Sequence, residues 1–196
     1  MKFLMTTLVF AFLFGTSLFS AEVATTNART NAMLNGKIVA SITVLTPIEI
    51  VKTSGELTIV KIKGFRLESY PQMIVRDMKR GEVYIEFPDK YEELASKSFT
   101  IIKKYEDDYG EIWEEVEGEF SVNSSAITKD TDALIKKAKT TYEQTCTMCH
   151  RMHEPKDFTV NQWPHQVESM MTEIALEVSI KELIVKYLQH NAADAK

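Results

Sequence analysis

Ile112-Trp113-Glu114-Glu115-Val116-Glu117-Gly118-Glu119-Phe120 carries the pattern from which the fold is read: Ile112, Val116, Gly118 and Phe120 share one parity, and Glu115, Glu117 and Glu119 the other. A period of two is the mark of a strand with one buried face. Outward from this stretch the same signal recurs at Val83, Ile85 and Phe87. Leu57 to Lys63 is a further apolar and β-branched run, entered through Ser54-Gly55 and left through Gly64, and Lys37 to Val51 is rich in Ile, Val and Thr around Pro47. Short strands between turn residues predict a small antiparallel sandwich or barrel over residues 36–122. Tyr70 to Lys79 reads as a helical turn within it, and residues 22–35, rich in Thr, Asn and Ala without periodicity, read as a flexible lead-in.

Beyond Asn123 the period changes to that of helix. Thr128 to Asp132 offers N-cap residues, and Leu134, Ile135, Ala138, Thr141 and Tyr142 form an apolar stripe running into Cys146. A second helix is expected from Gln162 or Pro164 to Leu176. A third is expected from a capping box at Ser179 and Glu182, followed by Leu183, Ile184, Tyr187 and Leu188.

Composition narrows the class. The 196 residues hold 44% hydrophobic and 26% charged side chains, with a net charge of −5, which excludes a low-complexity chain and argues against a protein that coats nucleic acid. At the N-terminus, Met1-Lys2, an apolar run from Phe3 to Phe14 and small residues up to Ser20 have the layout of a secretory signal peptide over residues 1–20. An uncleaved membrane anchor is the rival reading of the same stretch, because about 17 apolar-leaning positions stand at the low end of a bilayer span. Either places the remainder outside the cytoplasm.

The two cysteines lie three residues apart in Cys146-Thr147-Met148-Cys149-His150. Two sulfurs at this spacing would each add across one of the two vinyl groups of a haem, and the histidine that follows directly falls beneath the iron as an axial ligand. The string therefore predicts one covalently attached haem c on Cys146 and Cys149, with His150 on the iron. A zinc site from Cys146, Cys149, His153 and His165, a thioredoxin-like redox pair, and a plain disulfide are the competing readings, and none accounts for His150. Tyr142, Phe158, Trp163 and Tyr187 are expected against the ring. Candidates for the sixth ligand are Met152, His153, His165, Met170, Met171 and His190; His190 reads as a surface residue of the last helix, and periodicity does not choose between Met170 and Met171. The expected fold is α+β: the β module followed by a small all-α monohaem cytochrome c-like domain over residues 128–196.

Gly36 to Ser41, Ile112-Trp113 with Val116 and Gly118, Thr131 to Leu134, Asn161-Gln162-Trp163 and Lys186-Tyr187-Leu188-Gln189 resemble, together with the haem string, the C-terminal monohaem region of the TorC-type cytochromes that serve trimethylamine N-oxide reductases. The resemblance implies a methionine ligand seven residues after Trp163, which is Met170, with Met171 as second choice. It also implies an electron-transfer protein rather than an enzyme. The acceptor would be a molybdopterin reductase of N- or S-oxides and the donor an upstream membrane cytochrome or quinol-cytochrome complex, since the tetrahaem quinol-oxidising module of that family is not in this sequence. A haem-based redox sensor and a haem enzyme with an open sixth position are the alternatives. The acids Asp107, Asp108, Glu111, Glu114, Glu115 and Glu117 would steer a basic partner, or would simply be solvated charges beside a turn.

Overall fold

The computed structural model describes residues 22–147, 151–170 and 176–195. The elements in order are β1 (Glu22–Thr26), β2 (Thr30–Leu34), β3 (Lys37–Ile42), β4 (Pro47–Ser54), β5 (Leu57–Leu67), β6 (Tyr70–Asp77), β7 (Arg80–Glu86), α1 (Glu92–Lys97), β8 (Thr100–Glu106), β9 (Ile112–Asn123), β10 (Ile127–Thr128), α2 (Thr131–Cys146), α3 (Trp163–Met170) and α4 (Val178–His190). Strands β5, β6, β7, β3, β2 and β9 pair in that sequence, and β9 pairs back onto β5, so six antiparallel strands close a barrel. The remaining strands extend it: β4, β1 and β10 continue from the first half of β5, and β8 lies beside the first half of β9.

The long β5–β9 pair is the spine, and its register sets the core. Thr58 faces Val122, Val60 faces Phe120, Ile62 faces Gly118, Gly64 faces Val116 and Arg66 faces Glu114, all with inward side chains. Phe87, Phe99 and Phe120 fill the centre with ring centroids 5.4 to 6.1 Å apart. Gly118 is required there, because a Cβ at that position would stand 2.7 Å from Phe99 Cδ1. At one end the buried Arg66 donates to Glu114 at 2.9 Å and to the carbonyls of Ala95 and Ser96, closing the last turn of α1.

Several expectations are corrected by these elements. Residues 22–34 are two strands, not a flexible lead-in; β1 is held between β4 and β10, partners far away in sequence. Tyr70–Asp77 is strand β6, not a helical turn, and β5 runs through Gly64 to Leu67 instead of stopping before it. The last helix begins at Val178 with Glu177 as N-cap and no side-chain cap, so the capping box at Ser179 does not form.

The fold class itself is corrected. The chain is mostly β, a closed barrel with extra strands and a few short helices, and no small all-α cytochrome c-like domain stands apart from it. The physical reason lies in the β3–β4 turn. Val44 and Leu45, 2% and 1% exposed, leave the barrel and sit in the same apolar cluster as the inner faces of α2, α3 and α4. Leu45 has φ +58°, a backbone conformation that costs a branched residue about 1–3 kcal/mol. Threonines hold it there: Thr26 Oγ1 donates to the Thr43 carbonyl at 2.6 Å and accepts from Thr46 N at 3.0 Å, while Leu45 N donates to the Thr26 carbonyl. The helices thus complete their core with barrel residues.

Candidate functional site around Cys146

Helix α2 starts at Asp130, whose side chain accepts from Ala133 N at 2.9 Å. Ala138, Tyr142 and Cys146 recur every four residues and are its buried stripe. Cys146 is the final residue of the helix, so the chain departs from the helix with that side chain anchored in the apolar cluster. Met148, Cys149 and His150 lie outside the described residues, as does Met171.

The backbone just beyond them is fastened by two aromatic side chains. Tyr142 Oη donates to the His153 carbonyl at 2.8 Å, and the fully buried Trp163 donates Nε1–H to the Pro155 carbonyl at 2.9 Å. Glu154 and Asp157 cap a short 3-10 turn over Pro155–Asp157 reciprocally. The rings pack edge to face: Phe158 on Trp163 at 5.0 Å and Tyr142 on Trp163 at 6.4 Å, with Tyr187 of α4 tilted against Tyr142 at 6.3 Å. Each polar edge meets a carbonyl or the surface while each ring faces the cluster.

Met170 ends α3 half-buried and packs on this cluster, as do Met152 and Phe158. The structure thereby gathers Cys146, Met170, Tyr142, Phe158, Trp163 and Tyr187 around one apolar centre, from three helices and the loop between two of them. His153 and His165 stand apart: His153 Nδ1 lies 3.6 Å from Asp157 and its ring stacks on Phe158, and His165 is exposed on α3. Among the described residues no three His, Cys, Asp or Glu side chains converge as a metal site, so Cys146, His153 and His165 do not form the zinc set between them. Burial pushes the Cys146 thiol up from its usual value, opposite to the lowered value that activates a redox thiolate.

No family model, curated protein or solved structure matches the chain. Its site is therefore read from its own residues.

A second set of groups, which sequence reasoning did not assemble, lies where α4 meets β7. Glu82 points inward from β7 with no exposed surface. It accepts from His190 Nε2 at 2.8 Å, from Lys186 Nζ at 3.3 Å and from Arg76 Nη1 at 3.1 Å. Burial alone would push the Glu82 carboxyl up, but the hydrogen bond from His190 and the charges of Lys186 and Arg76 outweigh it and hold it down at about 2. Lys186 has one touching carboxylate against this same burial, and burial wins: its ammonium is pulled below the usual lysine value. His190 is thus not the surface histidine the last helix suggested. The only signal in the sequence is Lys186 itself, a charge inside the stripe Leu183, Ile184, Tyr187 and Leu188.

The acids expected to steer a partner are largely engaged within the fold. Glu114 is buried against Arg66, Glu115 accepts from Tyr105 Oη at 2.8 Å, Glu117 lies 3.6 Å from Lys61, and Asp107 accepts from Tyr109 N, Glu111 N and Trp113 Nε1. Asp108 and Glu111 are exposed at the hairpin tip. Among the described residues no helix is long and apolar enough to cross a membrane.

Proposed function

We propose that this chain is a periplasmic electron carrier with one haem c, bonded through Cys146 and Cys149, that relays single electrons to a molybdopterin reductase of N- or S-oxides. One observation carries the haem half of this reading: Cys146 at the end of α2 and Met170 at the end of α3 meet the same cluster, walled by Tyr142, Phe158, Trp163 and Tyr187. The donor chemistry fits the group, since a buried neutral thiol suits thioether formation and a thioether sulfur suits an axial position. The haem supplies a one-electron Fe(III)/Fe(II) couple. Cys146 and Cys149 would anchor it, His150 and Met170 would hold its iron, and the four aromatic side chains would keep water from it. The relay half is supported by the resemblance to TorC-type cytochromes alone.

Production of the full chain with its leader, in a host that matures c-type cytochromes, tests both halves. One covalent haem per chain is expected by mass and by the pyridine haemochrome spectrum, with Cys146→Ala keeping at most one thioether bond and the double variant Cys146→Ala/Cys149→Ala losing covalent attachment. Met170→Ala should lose the weak long-wavelength ferric band of methionine ligation while Met171→Ala keeps it. The reduced protein should be reoxidised by an N- or S-oxide reductase with its substrate. A chain exported without haem, or with bound zinc instead, sinks the haem reading; a loaded carrier that no such reductase oxidises sinks the relay.

A further inference from the structure

His190 stands on α4 beyond Tyr187, beside the helical cluster and against the barrel. Its Nε2 is 2.8 Å from Glu82 Oε1, and its side chain is 24% exposed, so one edge of the ring is buried on the carboxylate and the other is within reach of water. The carboxylate, held down at about 2, only accepts hydrogen bonds near neutral pH. His190 Nε2 must then carry hydrogen in both charge states, and the atom that gains or loses a proton is Nδ1.

The surroundings make that proton matter electrostatically. From the barrel, Glu82 and Tyr84 of β7 and Arg76 and Asp77 of β6 face this corner; from α4, Lys186 and Glu182 do so, with Arg29 ahead of β2 paired to Glu182 at 2.7 Å. Arg76 also donates to the Ala195 carbonyl at 2.8 Å, and Asp194 accepts from Val160 N, which folds the C-terminal tail over the same corner. The contacts to Glu82 set Arg76 and Lys186, the latter drawn toward its neutral form by burial, against one anion. A proton on His190 adds positive charge beside a carboxylate with no exposed surface, where charges are screened less than in bulk water. That charge lies about one turn of α4 from the cluster: His190 follows Tyr187 on the helix, Tyr187 packs on Tyr142, and Tyr142 is about one turn before Cys146.

We infer that His190, held on the buried carboxylate of Glu82, is a proton site linked to the redox state of the haem, so that the reduction potential of the loaded protein rises as pH falls. The inference rests on the haem reading above. A bound haem would supply the one-electron couple, and His190 would hold on Nδ1 a proton drawn from water when the group takes up an electron from its donor, releasing it when the electron leaves. A positive charge nearby favours the less positive iron, and by reciprocity the reduced protein binds the proton more tightly.

Potentiometric titration of the haem-loaded full chain at several values from pH 5 to 8, roughly where histidines change charge, tests this. The potential of the wild type should climb on acidification, His190→Gln should remove the slope, and His165→Gln, an exposed residue of α3, should keep it. NMR titration of His190 in the wild type needs no variant: its midpoint should lie higher in the reduced protein than in the oxidised. A slope unchanged in His190→Gln, which would assign it to the haem carboxylates, overturns the inference and leaves the haem reading standing. Coincident midpoints in the two redox states do the same. A chain that takes up no covalent haem overturns both.

Discussion

The barrel and the helical cluster are two cores of one molecule, built on different principles. In the barrel, Phe87, Phe99 and Phe120 and inward isoleucines such as Ile42, Ile62, Ile74 and Ile85 fill a space whose walls are closed by backbone ladders. The three phenylalanine rings carry no polar edge, although Tyr84 is buried in the same cluster and Arg66 and Glu114 pair on the inward parity of β5 and β9. In the helical cluster the large rings are Tyr142, Trp163 and Tyr187, and sulfur enters through Cys146, Met152 and Met170. There the walls are tied by side chains reaching backbone carbonyls of a loop. A core that must fix an irregular segment needs rings with a donor at the edge; a core bounded by strands does not. On the proposed function the barrel is the scaffold and the helical cluster is where the haem would be held.

The sharpest way to break this comparison is to empty the scaffold. Phe120 is 1% exposed and touches both other phenylalanines of the trio. Phe120→Ala should cost about 3–5 kcal/mol in denaturant titration, and it should lower the stability of the helices equally, because Val44 and Leu45 join the two cores. If helical signals survive after the barrel has melted, the joint is weaker than its packing implies.

The seam between the cores gives the next effect, and it depends on pH. The Glu82 carboxyl titrates at about 2 in the folded chain against an ordinary 4.5, so the folded state prefers its ionised form. That preference contributes stability fully above about pH 4.5 and loses it as pH falls toward 2. A shift of this size corresponds to about 3 kcal/mol. Glu82→Gln should therefore be less stable than the wild type by about this amount at neutral pH, with the gap closing in acid. A gap that stays constant from pH 6 to 3 would show that shape and not charge holds the seam.

What the sequence disclosed follows the same division. Strands with one buried face announce themselves: the parity of Val116, Gly118 and Phe120 in β9 is the parity of its burial. Strand β6 hides, because Pro71 and Gln72 are both buried and so are Ile74 and Val75, with register shifts at Ile74/Val75 and again before Asp77. Bulges destroy the period on which a strand is recognised. Strands β1 and β2 hide for another reason: their Thr, Ala and Asn residues carry little hydrophobic signal, and partners such as Glu49 for Val23 and Thr128 for Thr25 lie far along the chain. The reading of the cysteine string rests on spacing alone, and its Cys149 and His150 lie outside the described residues. The placement of the helices on the barrel is not, since it turns on Val44-Leu45 and on an inward acid whose partners Lys186 and His190 are 104 and 108 residues away.

The smallest predicted effect sharpens the comparison from the helical side. Tyr142→Phe keeps the ring that packs on Trp163 and Tyr187 and removes only the hydroxyl that donates to the His153 carbonyl. Burial pushes that phenol up, so the hydroxyl stays protonated at any ordinary pH and is available as donor throughout. Its loss should cost about 1 kcal/mol in global stability, well below the barrel substitution. The local consequence should be larger than the global one: with this side-chain donor gone from the segment Arg151 to Pro155, its amides should exchange with deuterium measurably faster while those of β5 and β9 are unchanged. A Tyr142→Phe variant whose barrel amides accelerate to the same degree would mean that the two cores share more than the Val44-Leu45 joint and the Glu82 seam, and that the hydroxyl supports the whole fold instead of one loop of the site.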